Sequence, residues 1–576
     1  MAEQLTEQQL QAVTDRGGKL LVSAAAGSGK TKVLVDRLLS YIVDEHSPAN
    51  LDDFLIITYT KAAAAELRGK IAARLSEKIA DDPTNKHLQN QMQRLYLSKI
   101  STVHAFCGDI IRENAHLLDV SADFRIAEED ECLEIQTRVL TEILEDVYAH
   151  IGDNADFRAL VDSQGFGRDD RQIPEIVLKV YQSARCHLNP DAWLDWCLDN
   201  ADVKDLTDAG QTVWGKYVID DLVSSVRLHI EAMENCVKQA SQFPHLAKPV
   251  ALFQDSISQL EKLCSGNSWD HIVNNRDIQF GTLTFPRKCE ETVLIEQMKA
   301  VRNACKDAVQ KKLRAFHIDS RQVLSDLEQC RASVRGLVEI TRRFMRAFDK
   351  RKRSKRILDF GDLEHLTLDL LLGKKRSAPT LLAREIGNRF REVMVDEYQD
   401  SNEIQDAIFS AITDKRQNCF MVGDVKQSIY QFRLADPSIF LEKYHRYSPV
   451  TEAEPGAGRK VLLSKNFRSC GAVIDAVNDV FTDCMSQQVG GLDYGADEAL
   501  YEGVSHAPIE EAEIELHCLC VDKDTYAEES AFTADRICQL LDGTHMIRDK
   551  DALRPIKPED IVILLRSPGS VGSEFR

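Results

Sequence analysis

Several features that define common classes of protein are missing from this sequence. The fifteen cysteines include no CxxC pair, and the two nearest are Cys518 and Cys520. This spacing indicates neither a zinc site nor a small disulfide scaffold, so we expect reduced cytosolic thiols. No stretch approaches the ~18 uncharged apolar residues of a membrane span. The opening MAEQLTEQQL also lacks the basic-then-apolar order of a signal peptide. We therefore expect a cytoplasmic protein with no membrane partner.

An excess of positive charge is also missing. The chain has 72 Lys and Arg against 92 Asp and Glu, which gives a net charge of −20 over 576 residues. This charge excludes a protein that coats DNA with its whole surface, but it leaves room for a basic channel on an acidic body. Neither an internal repeat nor a low-complexity tract is present. The length corresponds to three or four domains at about 150 residues each.

The order of apolar segments predicts an α/β fold. Short β-type runs near the N-terminus alternate with helix-forming stretches, which is typical of a parallel sheet. From about residue 120 to 350 the apolar residues are spaced at three and four, which predicts a largely helical insertion. Strand signals then return, so we expect the first sheet to resume. The predicted strands of this sheet lie at 19–23, 54–58, 100–103, 393–395 and 419–422.

A second α/β unit is predicted after a segment rich in Pro and Gly. Its candidate strands lie at 461–463, 514–519 and 561–565. The predicted organisation is therefore 1–120 for the first part of an ATPase domain, 121–356 for the helical insertion, 357–445 for the second part, 446–459 for a linker, and 460–576 for the start of a second domain.

Residues 24–31 fit a phosphate-binding loop, except that Ala24 replaces the usual first glycine. Gly27 and Gly29 let backbone amides approach phosphates, Lys30 reaches the β/γ oxygens, and the Thr31 hydroxyl ligates Mg²⁺. Placement between a strand and a helix strengthens this interpretation. The predicted nucleotide-binding residues are Ala24, Ala25, Ala26, Gly27, Ser28, Gly29, Lys30 and Thr31.

A second apolar strand ends in two acids, Asp396 and Glu397. In phosphoryl transfer Asp396 would hold Mg²⁺ and Glu397 would polarise the attacking water. Taken alone, the pattern also fits an ordinary strand followed by a charged turn. The segment that follows, residues 398–402, favours the catalytic interpretation over the ordinary strand and turn.

Residues 396–402 (DEYQDSN) and 422–433 (VGDVKQSIYQFR) together resemble superfamily 1 DNA helicases of the UvrD/Rep type. Further segments resemble the family's adenine-reading Q motif, its motif Ia, a DNA-contacting motif and motif IV, at 5–13, 58–68, 101–107 and 463–469. The resemblance implies two RecA-like P-loop motor domains, the second incomplete here, with a large and mostly helical insertion in the first. It also implies ATP and Mg²⁺ as ligands, and 3′ to 5′ translocation on DNA.

The resemblance also implies roles for individual residues. Gln9 and Phe467 would contact the adenine. The implied catalytic residues are Lys30, Glu397, Gln427 and Arg468, with Arg468 also touching the nucleotide. The implied metal-binding residues are Thr31 and Asp396. The implied DNA-binding residues are Tyr59, Thr60, His104, Tyr430, Phe432 and Arg433; a place in the protein core is the alternative for the aromatic rings and for His104.

Finer features resemble the AddA family, also called RexA, which supplies one chain of the AddAB-type helicase–nucleases. They include the triple alanine before Gly27, HAFC at 104–107 and DVKQSIYQFRLADP at 424–437. This resemblance implies an AddB-type partner in a heterodimer, single- and double-stranded DNA as substrates, and double-strand-break repair by homologous recombination. Motifs V and VI and the nuclease domain have no counterpart before Arg576, so we expect a longer parent protein. The alternatives are a UvrD/Rep-type repair helicase without nuclease and a non-catalytic DNA-binding assembly subunit.

A basic stretch at 342–356 stands out in this acidic chain. It holds nine Lys or Arg and a single Asp. On a helix these residues would present a face that attracts DNA phosphates. A solvated basic helix without a ligand is the alternative. The neighbouring segment 359–363 is assigned a structural role.

Overall fold

The computed structural model describes residues 5–164, 171–286, 289–430, 435–487, 489–504, 514–520, 526–549 and 552–575. The chain forms two compact units. The first unit comprises Met1–Phe467 and Met485–Ala499, and the second comprises Arg468–Cys484 and Leu500–Arg576. None of the helices in the described ranges combines the length and apolar character of a membrane span.

The helices are α1 (Glu7–Thr14), α2 (Lys30–Ile42), α3 (Lys61–Asp81), α4 (Lys86–Arg94), α5 (Val103–Glu113), α6 (Glu129–Ala149), α7 (Ala155–Gln164), α8 (Gln172–Arg185), α9 (Pro190–Asn200), α10 (Val213–Ala240), α11 (Ala247–Cys264), α12 (Trp269–Asn274), α13 (Thr292–Leu313), α14 (Ser320–Ser354), α15 (Phe360–Leu372), α16 (Leu381–Asn388), α17 (Glu403–Thr413), α18 (Pro437–Arg446), α19 (Gly471–Cys484), α20 (Ala527–Leu540) and α21 (Pro568–Val571). The strands are β1 (Leu20–Ala24), β2 (Phe54–Thr58), β3 (Lys99–Thr102), β4 (Arg125–Ile126), β5 (Ile357–Leu358), β6 (Glu392–Val395), β7 (Cys419–Gly423), β8 (Ser448–Pro449), β9 (Arg459–Leu463), β10 (Lys465–Asn466), β11 (Tyr501–Glu502), β12 (Met546–Asp549) and β13 (Ala552–Pro555).

The first unit is built on a seven-stranded sheet in the order β3-β2-β6-β7-β1-β9-β8. Every neighbouring pair is parallel. Val22 is in register with Val422 on one side and Val461 on the other. In a parallel sheet all carboxyl ends lie at one edge, so the loops after β1, β2, β6 and β7 meet there. This edge carries most of the residues that the motifs single out.

Side chains of the sheet alternate between two cores, as the two-residue period of a strand requires. Leu20 and Val22 pack on the face that is covered by α1 to α4. Leu21 packs on the opposite face, which α5 and α15 to α18 cover. Because both faces are buried, the central strands are continuously apolar. The prediction of an α/β fold with a parallel sheet is confirmed.

The stretch with helical periodicity is helical in the structure, and helices α6 to α14 lie between β4 and β5. These two short strands pair in parallel, with Arg125 opposite Ile357, so the two ends of the helical stretch meet. One apolar core is formed mainly by α10, α11 and α13. A second is formed by α6, α7, α8 and the C-terminal half of α14.

The predicted boundary at 460 is wrong, because β9 belongs to the first sheet. Arg459–Leu463 pairs in parallel with β1, and Val461 and Leu463 are buried in the core on the α2 side. The predicted linker 446–459 contributes the edge strand β8, which pairs with β9. An alternating apolar pattern fixes which face of a strand is buried, but it does not identify the neighbouring strand.

The second unit differs from the prediction of a second motor sheet. Residues 514–519 and 561–565, expected as strands, have no strand structure. The hairpin of β12 and β13 pairs Ile547 with Arg554 in antiparallel register. Leu516 and Leu564 are each 89% exposed. Among the described residues of this unit, these apolar runs have no neighbouring strands that would bury them.

Candidate functional site

The loop after β1 joins the strand to α2 and is held in place by β9 and the residues that follow it. Gly27 and Gly29 have positive φ values of 70° and 84°, the left-handed region that glycine adopts without strain. The Ala25 amide donates to the Leu463 carbonyl at 2.9 Å, and the Phe467 amide donates to the Gly27 carbonyl at 2.9 Å. Gly29 is the N-cap of α2 and has no side chain to cap it, so the first amides of the helix face the loop.

Gln9 supports this loop from α1. It forms a capping box with Thr6, and its Nε2 donates to the Ser28 carbonyl at 3.0 Å. Gln9 is buried, and a side chain on Gly29 would approach Gln9 Nε2 to 3.3 Å. The residue predicted to contact adenine therefore lies against the phosphate-binding loop.

Lys30 lies at the centre of the predicted catalytic residues. Its Nζ contacts Glu397 Oε2 at 2.8 Å and Gln427 Oε1 at 3.3 Å. The three residues come from the loops after β1, β6 and β7, which are neighbours in the sheet. Thr31 follows Lys30 in the first turn of α2 and is half-buried. The structure thus brings together three of the four predicted catalytic residues.

The two acids after β6 occupy different environments. Burial and then the neighbouring Glu397 raise the pKa of Asp396 to about 6, and the charge of Lys30 opposes this shift. Glu397 has a left-handed backbone with φ 50°, which is strained for a residue other than glycine. Its Oε2 also accepts a hydrogen bond from Gln399 Nε2 at 2.9 Å. Asp396, a buried carboxylate beside a second acid, is suited to bind a divalent cation.

The motif-based prediction missed a second layer of polar residues. Gln399 Oε1 accepts from the Asp424 amide at 3.0 Å, and Asp424 Oδ2 accepts from Gln427 Nε2 at 2.8 Å. Gln399 thereby links Glu397 to the segment that carries Gln427. Gln399 and Asp424 lie inside the motif segments 396–402 and 422–433, and their place in those segments could have identified them from the sequence.

Asn466 and Asp400 were also missed. Asn466 is buried, and a side chain on Gly27 would lie 2.6 Å from its Oδ1. Burial and then Glu397 raise the pKa of Asp400 to about 6. Within the described part of the chain, Asp400 Oδ1 is buried without a hydrogen-bond partner. Arg468 is the first residue of the second unit, so its contact with the nucleotide stays a prediction.

The predicted DNA-binding residues follow the carboxyl ends of β2, β3 and β7. Tyr59 is half-buried, and its hydroxyl lies 2.5 Å from Ser401 Oγ. The Thr60 hydroxyl caps α3 by accepting from the Ala63 amide at 3.0 Å. Tyr430 is 38% exposed. Phe432 and Arg433 lie outside the described residues.

His104 is partly exposed at the start of α5. Its Nε2 lies 3.4 Å from Glu364 Oε1, and its ring centroid lies 4.6 Å from that of Phe360. Phe360 begins α15 in the segment that was assigned a purely structural role, and its ring is exposed. The imidazole therefore keeps a surface position with one acidic and one aromatic neighbour.

The basic stretch 342–356 lies on α14, and acids of the first unit neutralise much of it. Lys352 is only 1% exposed and contacts Asp359 and Asp362, each at 2.6 Å. Arg343 contacts Asp146 at 2.7 Å, and Arg351 contacts Glu142 at 2.6 Å. Burial removes Lys352 from any phosphate-attracting face, and the exposed ion pairs of Arg343 and Arg351 partly neutralise their charge. A contact of the remaining cations with DNA stays a prediction.

Comparison with known proteins gives two findings. Residues 5–448 match the family described as "UvrD/REP helicase N-terminal domain". The chain is also 35% identical over 593 aligned positions to proteins named as the A-type subunit of an ATP-dependent helicase/nuclease, from Bacillus cereus (strain ATCC 10987 / NRS 248), Bacillus thuringiensis (strain Al Hakam) and Bacillus anthracis. Each alignment covers 98% of this chain and 47% of the relative. The chain thus spans about half the length of the curated relatives it matches.

Proposed function

Because the chain belongs to the UvrD/REP helicase family, we propose that it is the motor part of an ATP-dependent DNA helicase within a helicase–nuclease. One observation carries this proposal. Lys30 of the phosphate-binding loop contacts Glu397 after β6 and Gln427 after β7 within 3.3 Å. A phosphate-binding cation, a candidate base and a candidate sensor are therefore adjacent.

ATP would bind with its phosphates over the loop 24–31. The amides at the start of α2 and the Lys30 ammonium would stabilise phosphate charge. Thr31 and Asp396 would hold Mg²⁺, which when bound neutralises charge that develops on the phosphates. The residues fit this ion, because Asp396 is a buried carboxylate whose pKa, about 6, leaves it largely ionised at neutral pH.

Glu397 would act as the general base for the attacking water. Its carboxylate pairs with the Lys30 ammonium at 2.8 Å. Phosphates bound at the loop would compete for the same ammonium, and Glu397 would then be free to accept a proton from water. Gln399 Nε2 donates to Glu397 Oε2 at 2.9 Å and would hold the carboxylate in position during this exchange.

Gln427 would couple the nucleotide to DNA. It contacts Lys30 through Oε1 and Asp424 through Nε2, so a shift of Lys30 changes its hydrogen bonds. The turn Val425–Gln427 leads within three residues to Tyr430, a predicted DNA-stacking residue that is partly exposed. Base stacking on Tyr59, Tyr430 and Phe432 would be indifferent to sequence. Thr60, His104 and Arg433 would contact the same strand.

The remaining features of the proposal follow from the family resemblance. They are 3′ to 5′ polarity, a second RecA-like motor domain after β9, a γ-phosphate contact from Arg468, an AddB-type partner, and a role in double-strand-break repair. The contacts of Lys30 with Glu397 and Gln427 disfavour a non-catalytic assembly subunit. The names of the relatives, which combine helicase and nuclease, favour this class over a helicase without nuclease.

DNA-stimulated ATP hydrolysis by a Glu397→Gln variant of the full-length protein tests this assignment. We expect the steady-state rate to fall by about 10²- to 10⁴-fold, since this is the contribution of a positioned base. Nucleotide affinity should change little, because Gln still offers an oxygen to Lys30. Glu385→Gln, the same change on the exposed surface of α16, is the matched control. Hydrolysis near the wild-type rate in Glu397→Gln would refute the proposal.

A further inference from the structure

A cluster of three metal-ligating side chains lies in the helical stretch of the first unit, away from the nucleotide and DNA residues. It consists of His245, Cys289 and Glu291, and we call it the His–Cys–Glu cluster. One ligand atom from each residue lies within 4.8 Å of the other two. Nothing in the proposed helicase function uses these residues.

The cluster joins two parts of the chain that are distant in sequence. His245 lies in the 3-10 turn Pro244–Leu246 that leads into α11. Cys289 and Glu291 lie at the end of the long connection between α12 and α13. Glu291 is 46 positions after His245 in the sequence. In its described part, 275–286 and 289–291, this connection has neither helix nor strand. Loops of this length are uncommon in compact domains.

Other contacts anchor the first part and the middle of the connection, where Leu283 and Phe285 pack against the apolar core formed by α10, α11 and α13. Gln259 on α11 accepts from the Gln279 amide at 2.7 Å, and Arg276 Nη1 donates to the Phe316 carbonyl at 2.8 Å. The His–Cys–Glu cluster is the polar anchor at the far end, directly before α13. A cross-link at this point would fix the start of α13 to the start of α11.

The hydrogen bonds of the cluster converge on one oxygen. Glu291 Oε2 accepts from His245 Nε2 at 2.9 Å and from Cys289 Sγ at 3.0 Å. Two polar hydrogens thus occupy the space between three atoms that are all good metal ligands. A metal ion in that space would replace both hydrogen bonds with coordinate bonds.

We propose that His245, Cys289 and Glu291 form a Zn²⁺ site that ties the α12–α13 connection to the start of α11. Imidazole, thiolate and carboxylate are all zinc ligands, and water would complete the tetrahedron. Ligand atoms around tetrahedral zinc are roughly 3.3 to 3.8 Å apart, so shifts of under about 1 Å open the cluster to the ion. Mg²⁺ and Ca²⁺ are excluded, because they require oxygen ligands.

Binding has a defined proton balance. The Cys289 thiol loses its proton to solvent and binds as thiolate. His245 binds the ion through the lone pair of Nε2, so the proton that Nε2 donates to Glu291 moves to Nδ1 or to solvent. Glu291 binds through a carboxylate oxygen, and the thiol proton of Cys289 goes to solvent for each Zn²⁺ that binds. The His245 side chain is 43% exposed and the Glu291 side chain 19%, which gives the ion access from solvent.

Cobalt binding tests the site, because Co²⁺ replaces Zn²⁺ in such sites and a thiolate ligand produces a charge-transfer band. The 576-residue chain is stripped with chelator, reduced and titrated with Co²⁺, and Zn²⁺ is then added in competition. We expect one equivalent of Co²⁺ with the thiolate band, displaced by one equivalent of Zn²⁺. Cys289→Ser should abolish the band and weaken Zn²⁺ binding about 100-fold, as expected for the loss of a ligand.

Two variants separate the site from incidental metal binding. Cys330→Ser removes an exposed cysteine of the same helical stretch and should leave the band and the affinity unchanged. Glu291→Gln keeps the shape of the side chain but removes its charge, and should weaken binding while far-UV circular dichroism stays constant. Absence of the band in the wild-type chain would overturn the proposal, as would equal affinity in wild type and Cys289→Ser. Neither readout depends on ATP or DNA, so the result is independent of the proposed helicase function.

Discussion

Replacing Gly27 with alanine should disable the nucleotide site with only a moderate loss of overall stability. Gly27 has φ 70°, and a Cβ at this position would lie 2.6 Å from Asn466 Oδ1 and 2.7 Å from Asn466 Cγ. Asn466 is buried in the segment behind the loop, so it has little space to move. The alanine can be accommodated only if the loop, the Asn466 side chain or this segment shifts.

The cost has two parts. A left-handed backbone costs an L-residue about 1 to 2 kcal/mol, and displacing the buried polar side chain of Asn466 costs about 1 to 2 kcal/mol more. A total of about 2 to 4 kcal/mol corresponds to a roughly 30- to 1,000-fold lower population of the binding conformation, at about 1.4 kcal/mol per factor of ten. The hydrogen bond from the Phe467 amide to the Gly27 carbonyl, 2.9 Å long, would be lost in the same shift.

The measurement is the affinity for a fluorescent, slowly hydrolysed ATP analogue with Mg²⁺, together with the free energy of unfolding. Gly69→Ala is the matched control. Gly69 lies within α3, and a Cβ there meets nothing within 4 Å, so alanine should stabilise that helix by about 0.5 to 1 kcal/mol. Analogue affinity of Gly27→Ala within about threefold of wild type would show that the close approach of Gly27 to Asn466 does not govern nucleotide binding.

Three further predictions concern the pH dependence of Mg²⁺-dependent nucleotide binding, base stacking on Tyr430 and the salt dependence of DNA binding. The pKa of Asp396 is about 6, so this carboxyl is mostly ionised above pH 6 and mostly protonated below it. The Mg²⁺-dependent affinity for the ATP analogue should therefore fall about tenfold from pH 7 to pH 5. Asp396→Asn should remove that part of the pH dependence. Tyr430→Ala should weaken single-stranded DNA binding by about 1 to 3 kcal/mol for all sequences alike. Fluorescence anisotropy with two unrelated oligonucleotides measures this loss, and a loss that differs between the two sequences would contradict stacking. Lys350 and Arg353 are exposed on α14, whereas Arg343 is ion-paired. Neutralising Lys350 and Arg353 should reduce the log–log salt slope of DNA binding by about 0.7 each, because each change removes one phosphate contact. An unchanged slope, or a larger effect of Arg343→Gln, would contradict this ranking.

The residues of the proposed nucleotide site could be singled out in the sequence, because they lie in short, local segments. The residues of the phosphate-binding loop are consecutive, and the acids after β6 follow an apolar run directly. Such segments keep their backbone conformation and their chemistry wherever the sheet places them. The family prediction, which rested on these segments, is confirmed, and so is the parallel α/β sheet.

Strand neighbours were decided only by the tertiary structure. The pattern of β9 predicted a strand but not its sheet, because alternation specifies a buried face and carries no information about which strand lies alongside. Pairing with β1 moves Asn466 and Phe467 next to the phosphate-binding loop. The support of Gln9 for the Ser28 carbonyl likewise depends on how α1 packs.

Charge pairing was also decided only in three dimensions. A count of nine cations in 342–356 cannot indicate that Lys352 is buried between Asp359 and Asp362. These two acids contact Lys352 only because the chain changes direction between the end of α14 and the start of α15. The His–Cys–Glu cluster has the same origin, because His245 and Glu291 are 46 positions apart in the sequence. Sequence determines which groups are available. Long-range packing determines which of them meet, because contact between distant segments depends on the whole set of helix and strand neighbours rather than on any local pattern.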